Sequence, residues 1–305
     1  MELPDNIKPV ICIAGPTASG KSGAAVRLAK AIDGEIINVD SMQVYADLQV
    51  LSARPDDIEQ DGVPHHLFGH IDGRVRYSTG QWVRDSTEVI LDCLARHKTP
   101  ILVGGTGLYF SALFEGIAEV PTPDEEVLER VGKLAATDVK TLREQALQLD
   151  PTATTRVLGD DAQRLVRIVS VALGTDRILS EWQKDTQPVV PKKLARRFVI
   201  LPDRSALYSR INSRFDLMLE NGAVQEVATL REKGLDANLP VVKAIGVPHL
   251  SKFLNGDVSL TEASELSKRD TRRYAKRQYT WFRNRHADWT ILNDASEMPS
   301  AMHEI

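Results

Sequence analysis

Gly15-Pro16-Thr17-Ala18-Ser19-Gly20-Lys21-Ser22 is a complete G-x-x-x-x-G-K-[ST] phosphate loop. It lies between the apolar run Val10-Ile11-Cys12-Ile13-Ala14 and a helix-forming stretch from Gly23 to Ala31. The run predicts a buried strand and the stretch a helix. In that setting the glycines let the backbone wrap a diphosphate, consecutive N–H groups point inward, and the helix N-terminus adds a favourable dipole. Lys21 would reach phosphate oxygens, and the Ser22 hydroxyl would hold Mg²⁺. Which phosphorylated molecule sits there is open at this point, because such a loop does not by itself mean ATP.

Around this loop the first 115 residues alternate strand and helix patterns, as a parallel α/β sheet does. Glu35-Ile36-Ile37-Asn38-Val39-Asp40 reads as a short strand ending in an acid, Gln81 to His97 as a helix, and Pro100-Ile101-Leu102-Val103 as a buried strand running into Gly104-Gly105-Thr106-Gly107. Parallel sheets place ligands at the carboxyl ends of their strands. Asp40, Thr106 and the phosphate loop are therefore expected to share one cleft. After Val120-Pro121-Thr122-Pro123 the chain becomes charged and helix-periodic until about Lys193, and Arg197-Phe198-Val199-Ile200-Leu201 reads as a strand returning to the sheet. Helices are predicted over 204–221, 223–233 and 261–285, with a loop around Pro240 to Pro248. The expected fold is α/β: a P-loop NTPase-like parallel sheet core with an inserted all-helical domain. Its divisions are 1–120 and 196–305 for the core and 121–195 for the insert.

The 305 residues carry 42% hydrophobic and 26% charged side chains, an ordinary composition for a globular protein. The longest apolar runs, about six residues, are too short to cross a bilayer. Met1-Glu2-Leu3-Pro4-Asp5 has neither a basic n-region nor an apolar h-region, so no secretory signal is expected. Cys12 and Cys93 lie in apolar segments and read as small core residues, and no Cys/His cluster has zinc spacing. A reduced, cytoplasmic protein without membrane association is expected. The net charge of −4 argues against a general nucleic-acid binder. From Lys268 to Arg285, however, eight basic residues face a single acid, Asp270, with Tyr274, Tyr279, Trp281 and Phe282 interleaved. That stretch is either an amphipathic helix packing its aromatics inward or an electrostatic footprint for RNA phosphates.

Three readings are open to Asp40: a water-mediated Mg²⁺ ligand, a general base, or a cap for the next turn. Ser41, Gln43 and Tyr45 beside it supply donors and acceptors suited to a base edge or ribose. His65-His66 lies in a Gly/Pro-bounded stretch and reads as a hydrogen-bonding loop, since adjacent side chains diverge and no third metal ligand is near. Gly104-Gly105-Thr106-Gly107 is either a plain turn after a buried strand or, with the phosphate loop nearby, a turn whose Thr106 hydroxyl stabilises charge on a substrate oxygen. Arg164 and Arg167 share one helix face, as do Arg210 and Arg214. Each pair is a solvated surface unless its helix points at the ligand.

Taken in order over residues 10 to 285, these segments resemble the tRNA dimethylallyltransferases. The likeness rests on 15–22, on Val39-Asp40-Ser41-Met42-Gln43-Val44-Tyr45, on Gly104-Gly105-Thr106-Gly107-Leu108-Tyr109 and on Asp161-Ala162-Gln163-Arg164. It continues through Arg210-Ile211-Asn212-Ser213-Arg214-Phe215 and Lys276-Arg277-Gln278-Tyr279-Thr280-Trp281-Phe282-Arg283. One departure is Ala244-Ile245-Gly246-Val247-Pro248, where the family usually has an aromatic after the glycine. The resemblance implies transfer of a dimethylallyl group from dimethylallyl diphosphate to N6 of the adenosine 3′ of the anticodon, in tRNAs reading codons that begin with U. It implies Asp40 as the base and Thr106 at the diphosphate's bridging oxygen. It places the diphosphate on Gly15, Pro16, Thr17, Ala18, Ser19, Gly20, Lys21, Ser22 and Arg214, with Mg²⁺ at Ser22. The tRNA anticodon stem-loop would be met by Asp40, Ser41, Met42, Gln43, Gln163, Arg164, Leu165, Val166, Arg167 and Arg277, the inserted domain gripping the stem-loop. The chain has no cysteines for the zinc-finger extension of some eukaryotic relatives. A monomer is expected. The alternatives are a P-loop nucleotide or small-molecule kinase, and an RNA-binding nucleotide switch. The latter lacks both an N-K-x-D sequence and a strand ending in Asp-x-x-Gly.

Overall fold

The computed structural model describes residues 8–298, and the Met1–Asp5 stretch read above for a secretory signal lies outside the described residues. The chain divides into two compact units, Met1–Ser111 with Val190–Ile305, and Ala112–Val189. In the first unit β1 (Val10–Ala14) is followed by α1 (Lys21–Ile32), β2 (Gly34–Val39), the one-turn α2 (Asp57–Gln60), β3 (His65–His66), α3 (Thr79–Ala95) and β4 (Thr99–Gly104). The boundary between units falls within α4 (Gly107–Glu115). The second unit is helical: α5 (Glu125–Thr137), α6 (Val139–Leu149), α7 (Pro151–Thr154), α8 (Ala162–Gly174) and α9 (Leu179–Trp182). The first unit resumes with β5 (Ala195–Ile200), α10 (Arg204–Glu220), α11 (Ala223–Glu232), α12 (Val247–Leu254), α13 (Leu260–Arg285) and β6 (Thr290–Leu292).

The six strands form one sheet in the order β3-β2-β4-β1-β5-β6, every neighbouring pair parallel. Ile11, Cys12, Ile13, Ile37, Ile101 and Leu102 are fully buried, which is why these strands read as unbroken apolar runs rather than alternating ones. Helix starts are set by short polar side chains. Ser78 and Gln81 close a capping box at α3, Asp203 accepts the Ser205 and Ala206 N–H groups at α10, and Asp161 accepts that of Arg164 at α8. In the helical unit Val131, Leu142, Ala146, Leu165, Ile168 and Val169 supply the core. Both cysteines are buried and free, as expected. Among the described residues no helix is long and apolar enough to cross a membrane.

Three segments differ from expectation. His65-His66 is not a loop but the edge strand β3, paired with Ile36 and Ile37. The segment around Pro240 to Pro248 is not all loop. A 3-10 turn spans Pro240–Lys243, and α12 already begins at Val247, with Pro248 in its first turn where a missing N–H costs no bond. β6 was not anticipated, because only Leu292 of its three residues is buried and no alternation marks it.

The strand at His65-His66 is stabilised by Glu35 at the start of β2. The Glu35 carboxylate accepts from Arg96 at 2.5 and 2.8 Å and lies 2.7 Å from His66 Nε2. Ligand atoms of Glu35, His66 and Cys93 lie within 4.8 Å of one another, but Arg96 already takes both carboxylate oxygens, so the cluster is a closed ion pair. Arg96, with His66 second among the favourable partners, holds the Glu35 pKa down to about 2, against the cost of burial. A carboxyl depressed in the folded state contributes stability above its unfolded pKa, and that contribution is lost as pH falls from about 4.5 to about 2. Arg96→Met is therefore expected to lower stability in urea unfolding at neutral pH, by leaving Glu35 short of its main partner. The deficit should shrink when Glu35 is protonated. A deficit unchanged in acid would mean that lost packing, not the ion pair, is responsible.

Candidate active site

The carboxyl ends of β1, β2 and β4 bring the phosphate loop, Asp40 and Thr106 together, and α10 and α13 close over them with Arg214, Tyr274 and Arg277. Two chambers result. One, of about 400 Å³, is lined by Ala18, Gly20, Lys21, Ser22, Gly23, Ser209, Arg210, Ser213, Arg214 and Leu217. The other, of about 310 Å³, has an apolar wall of Leu51, Ile211, Phe215, Met218, Ala244 and Ile245. Its polar lining includes Thr17, Asp40, Ser41, Lys243, Tyr274 and Arg277. Ala18 and Arg214 line both chambers.

The first chamber is rich in positive charge. The loop curls through two left-handed residues, Ala18 (φ 63°) and Gly20 (φ 86°), and α1 starts directly at Lys21. An alanine in that region stores of order 1 kcal/mol, which persists only when the surroundings hold the loop in shape. Lys21 Nζ donates to the Pro16 carbonyl at 3.2 Å. Desolvation lowers its pKa to about 8, Asp40 opposing and Arg214 adding to the shift. Desolvation also lowers that of Arg214, against Asp40 and Glu59. Two desolvated cations with Asp40 as their common nearby acid make a site short of negative charge, and backbone N–H groups at a helix start suit the same kind of ligand.

Asp40 is held by its neighbours. Its N–H donates to Asn38 Oδ1 at 2.8 Å, and Asn38 Nδ2 donates to the Asp40 and Leu67 carbonyls at 3.0 Å each. Asp40 Oδ1 accepts the Met42 N–H at 2.8 Å and that of Gln43 at 3.3 Å. The cap is therefore real, and it uses one oxygen; Oδ2 makes no hydrogen bond among the described residues. Thr106 Oγ1 accepts the Ser41 N–H at 3.0 Å, which ties the end of β2 to the turn after β4. Gln43 does not present a free amide: its Nε2 donates to the Ser52 and Ala53 carbonyls at 3.0 and 2.8 Å, holding the loop that carries Leu51. Glu226 accepts the N–H groups of Gln49, Val50 and Leu51 at 2.6 to 2.9 Å and fixes the same loop.

The structure thus brings Gly15 to Ser22, Asp40, Ser41, Met42, Thr106, Arg214 and Arg277 into one region of the first unit. In the second unit, Gln163, Arg164 and Arg167 are exposed along α8 and Val166 is partly exposed. Leu165 is fully buried in that unit's core, so its side chain leaves the surface set. The basic stretch answers to both of its readings. Phe282 packs on Phe110 with centroids 6.3 Å apart, and Lys268 is buried against Asp216 at 2.7 Å. Lys276, Arg277, Arg283 and Arg285 stay exposed. Val247, the departure after Gly246, is 1% exposed and belongs to the core beside the second chamber.

Sequence reading missed Asn38, Tyr274, Gln278 and the apolar wall. Asn38 had a signal: a lone amide inside the buried run of β2. The wall had none, because Leu51, Phe215 and Ile245 come from three distant segments. The Tyr274 hydroxyl is pushed well above the ordinary phenol range by burial, with Asp40 adding, and so remains a proton donor.

A model of the IPP transferase family matches residues 43–285, and one described as isopentenyl transferase matches residues 8–67. The chain is 50% identical over 300 residues to a tRNA dimethylallyltransferase of Maricaulis maris, covering 97% of both chains. It is 46% identical over 299 residues to one of a Bradyrhizobium species, covering 97% of this chain and 98% of that one. Among solved structures, the full-length tRNA isopentenylpyrophosphate transferase of Bacillus halodurans is 33% identical with a TM-score of 0.68, over 94% of this chain and 90% of that one. A eukaryotic dimethylallyltransferase, captured acting on tRNA, is 29% identical with a TM-score of 0.81, over 94% of this chain and 74% of that one.

Proposed function

This chain belongs to the IPP transferase family, and we propose that its two chambers divide the prenyl donor between them, diphosphate in the first and dimethylallyl group in the second. The chain is a transferase that prenylates tRNA. The observation that carries the residue assignment is the pair Lys21 and Arg214. Both are desolvated beside the phosphate loop, and Arg214 also borders the apolar chamber that Asp40 lines.

The donor is dimethylallyl diphosphate. Backbone N–H groups of the loop, Lys21 and Arg214 hold its diphosphate and neutralise charge as the allylic C–O bond breaks. The Thr106 hydroxyl, which accepts the Ser41 N–H and gives its hydrogen to Ser41 Oγ at 3.4 Å, turns that hydrogen to the bridging oxygen when the donor is bound. The five-carbon chain lies against Leu51, Phe215, Met218 and Ile245. The target adenosine is flipped out of the anticodon loop into the second chamber. Its N6 attacks the allylic carbon as the C–O bond breaks. Asp40 Oδ2 takes the N6 proton as the N–C bond forms, and the diphosphate leaves intact. Mg²⁺ fits the donor set here, since the Ser22 hydroxyl lines the phosphate chamber and a hard cation takes oxygen ligands from protein and phosphate together. Bound there, Mg²⁺ would supply further charge neutralisation on the diphosphate. Ser41, Met42, Arg277 and the exposed Gln163, Arg164 and Arg167 meet the tRNA, the helical unit gripping the stem-loop. The chambers are built from one chain, so a monomer suffices, working in the cytoplasm where its tRNA substrate is.

The test incubates the protein, Mg²⁺ and unmodified tRNA with labelled dimethylallyl diphosphate and competing ATP. Label entering the RNA at the adenosine 3′ of the anticodon, with ATP left intact, is the expected result. ATP turnover without labelled RNA would replace this reading with a kinase.

A further inference from the structure

We propose that Gln278 is a positioning residue, which holds the phosphate loop and the Gly105–Thr106 turn in register for the leaving diphosphate. The inference rests on the reading that the loop at 15–22 takes the donor's diphosphate.

Gln278 is 5% exposed on α13. Its Oε1 accepts the Thr17 N–H at 2.9 Å, and its Nε2 donates to the Gly105 carbonyl at 2.9 Å. One side-chain amide therefore joins the loop after β1 to the turn after β4. These two bonds also fix which end of the amide is oxygen, because the reverse placement would set donor against donor and acceptor against acceptor. Tyr274, one turn earlier on the same helix, lines the second chamber. The helix that carries Arg277 and Tyr274 to the second chamber thus reaches both the loop and the Gly105–Thr106 turn through one buried residue.

Two further facts show that the contact is built in. A Cβ at Gly105 would lie 2.2 Å from Gln278 Nε2 and 3.1 Å from the Gly15 carbonyl, so the turn admits the amide because residue 105 is glycine. Thr17 also precedes Ala18, whose left-handed conformation needs outside support to persist. Without the bond at Thr17 N–H the loop is free to relax, and its N–H groups lose their shared aim at one diphosphate.

The experiment uses the full chain and measures the dissociation constants of inorganic diphosphate and of unmodified tRNA, together with kcat. For Gln278→Leu the expected result is a roughly 10–100-fold weaker diphosphate affinity and a comparable fall in kcat, with tRNA affinity within about twofold of wild type. Gln278→Glu keeps an acceptor for Thr17 but as a carboxylate sets oxygen against the Gly105 carbonyl; protonation restores the donor. Its activity relative to wild type should therefore rise as pH falls, and this variant remains readable where Gln278→Leu fails to fold. Diphosphate affinity within twofold of wild type in both variants, or a Gln278→Glu pH profile parallel to wild type, would overturn the inference. If wild type itself fails to bind inorganic diphosphate, the donor-site reading falls first.

Discussion

Asp40→Asn is expected to reduce single-turnover prenyl transfer by roughly 10²–10⁴-fold, the range over which removal of a positioned general base acts. The substitution is close to isosteric. The asparagine carbonyl can still accept the Met42 and Gln43 N–H groups that Oδ1 accepts, and the Asn38 bonds to the residue 40 backbone are untouched. What is lost is the oxygen that takes the proton from N6, so affinity for tRNA and for inorganic diphosphate should change little. Rapid-quench measurement with both substrates saturating separates the two effects. A near-normal single-turnover rate would remove Asp40 from the base role and leave it as a turn cap.

Lys21→Met should lower kcat/KM for the donor by roughly 10²–10³-fold, as loss of one aimed donor to developing negative charge does. Its pH dependence carries a separate signature. In the donor-free protein Lys21 titrates near 8, lowered by desolvation and by Arg214 and partly restored by Asp40. Below that pH the ammonium is charged and attracts diphosphate; above it, binding must first supply a proton. Diphosphate affinity of wild type should therefore fall as pH rises through about 8, and Lys21→Met should lack that limb. An identical alkaline limb in both proteins would assign it to another group.

The loop, the parallel strands and the cleft they share were legible because each rests on local chemistry. A buried parallel strand reads as an apolar run, and a phosphate loop as glycines before Lys21. Asp40 was legible as an acid at a strand end, but not that one of its oxygens caps the next turn while the residue lines the second chamber. The apolar wall was not legible, since Leu51, Phe215 and Ile245 meet through tertiary folding alone. Glu226 looks like an ordinary surface residue in the sequence and Gln43 reads there as a tRNA contact, and both turn out to hold the loop carrying Leu51. β3 and β6 were missed for a different reason: edge strands of two and three residues are too short to show a period. Gln278 stood in a recognised motif, but nothing in its spacing says that it reaches Thr17 and Gly105 at once.

The most direct test places heavy oxygen at the bridging position of dimethylallyl diphosphate and follows it through one turnover on unmodified tRNA. Cleavage of the allylic C–O bond with diphosphate held on residues 15–22 sends all of the label into released inorganic diphosphate. The modified adenosine gains the prenyl group and no heavy oxygen. Label retained on a prenyl alcohol, or a phosphoryl group on the RNA, would contradict that chemistry and return the loop to phosphoryl transfer.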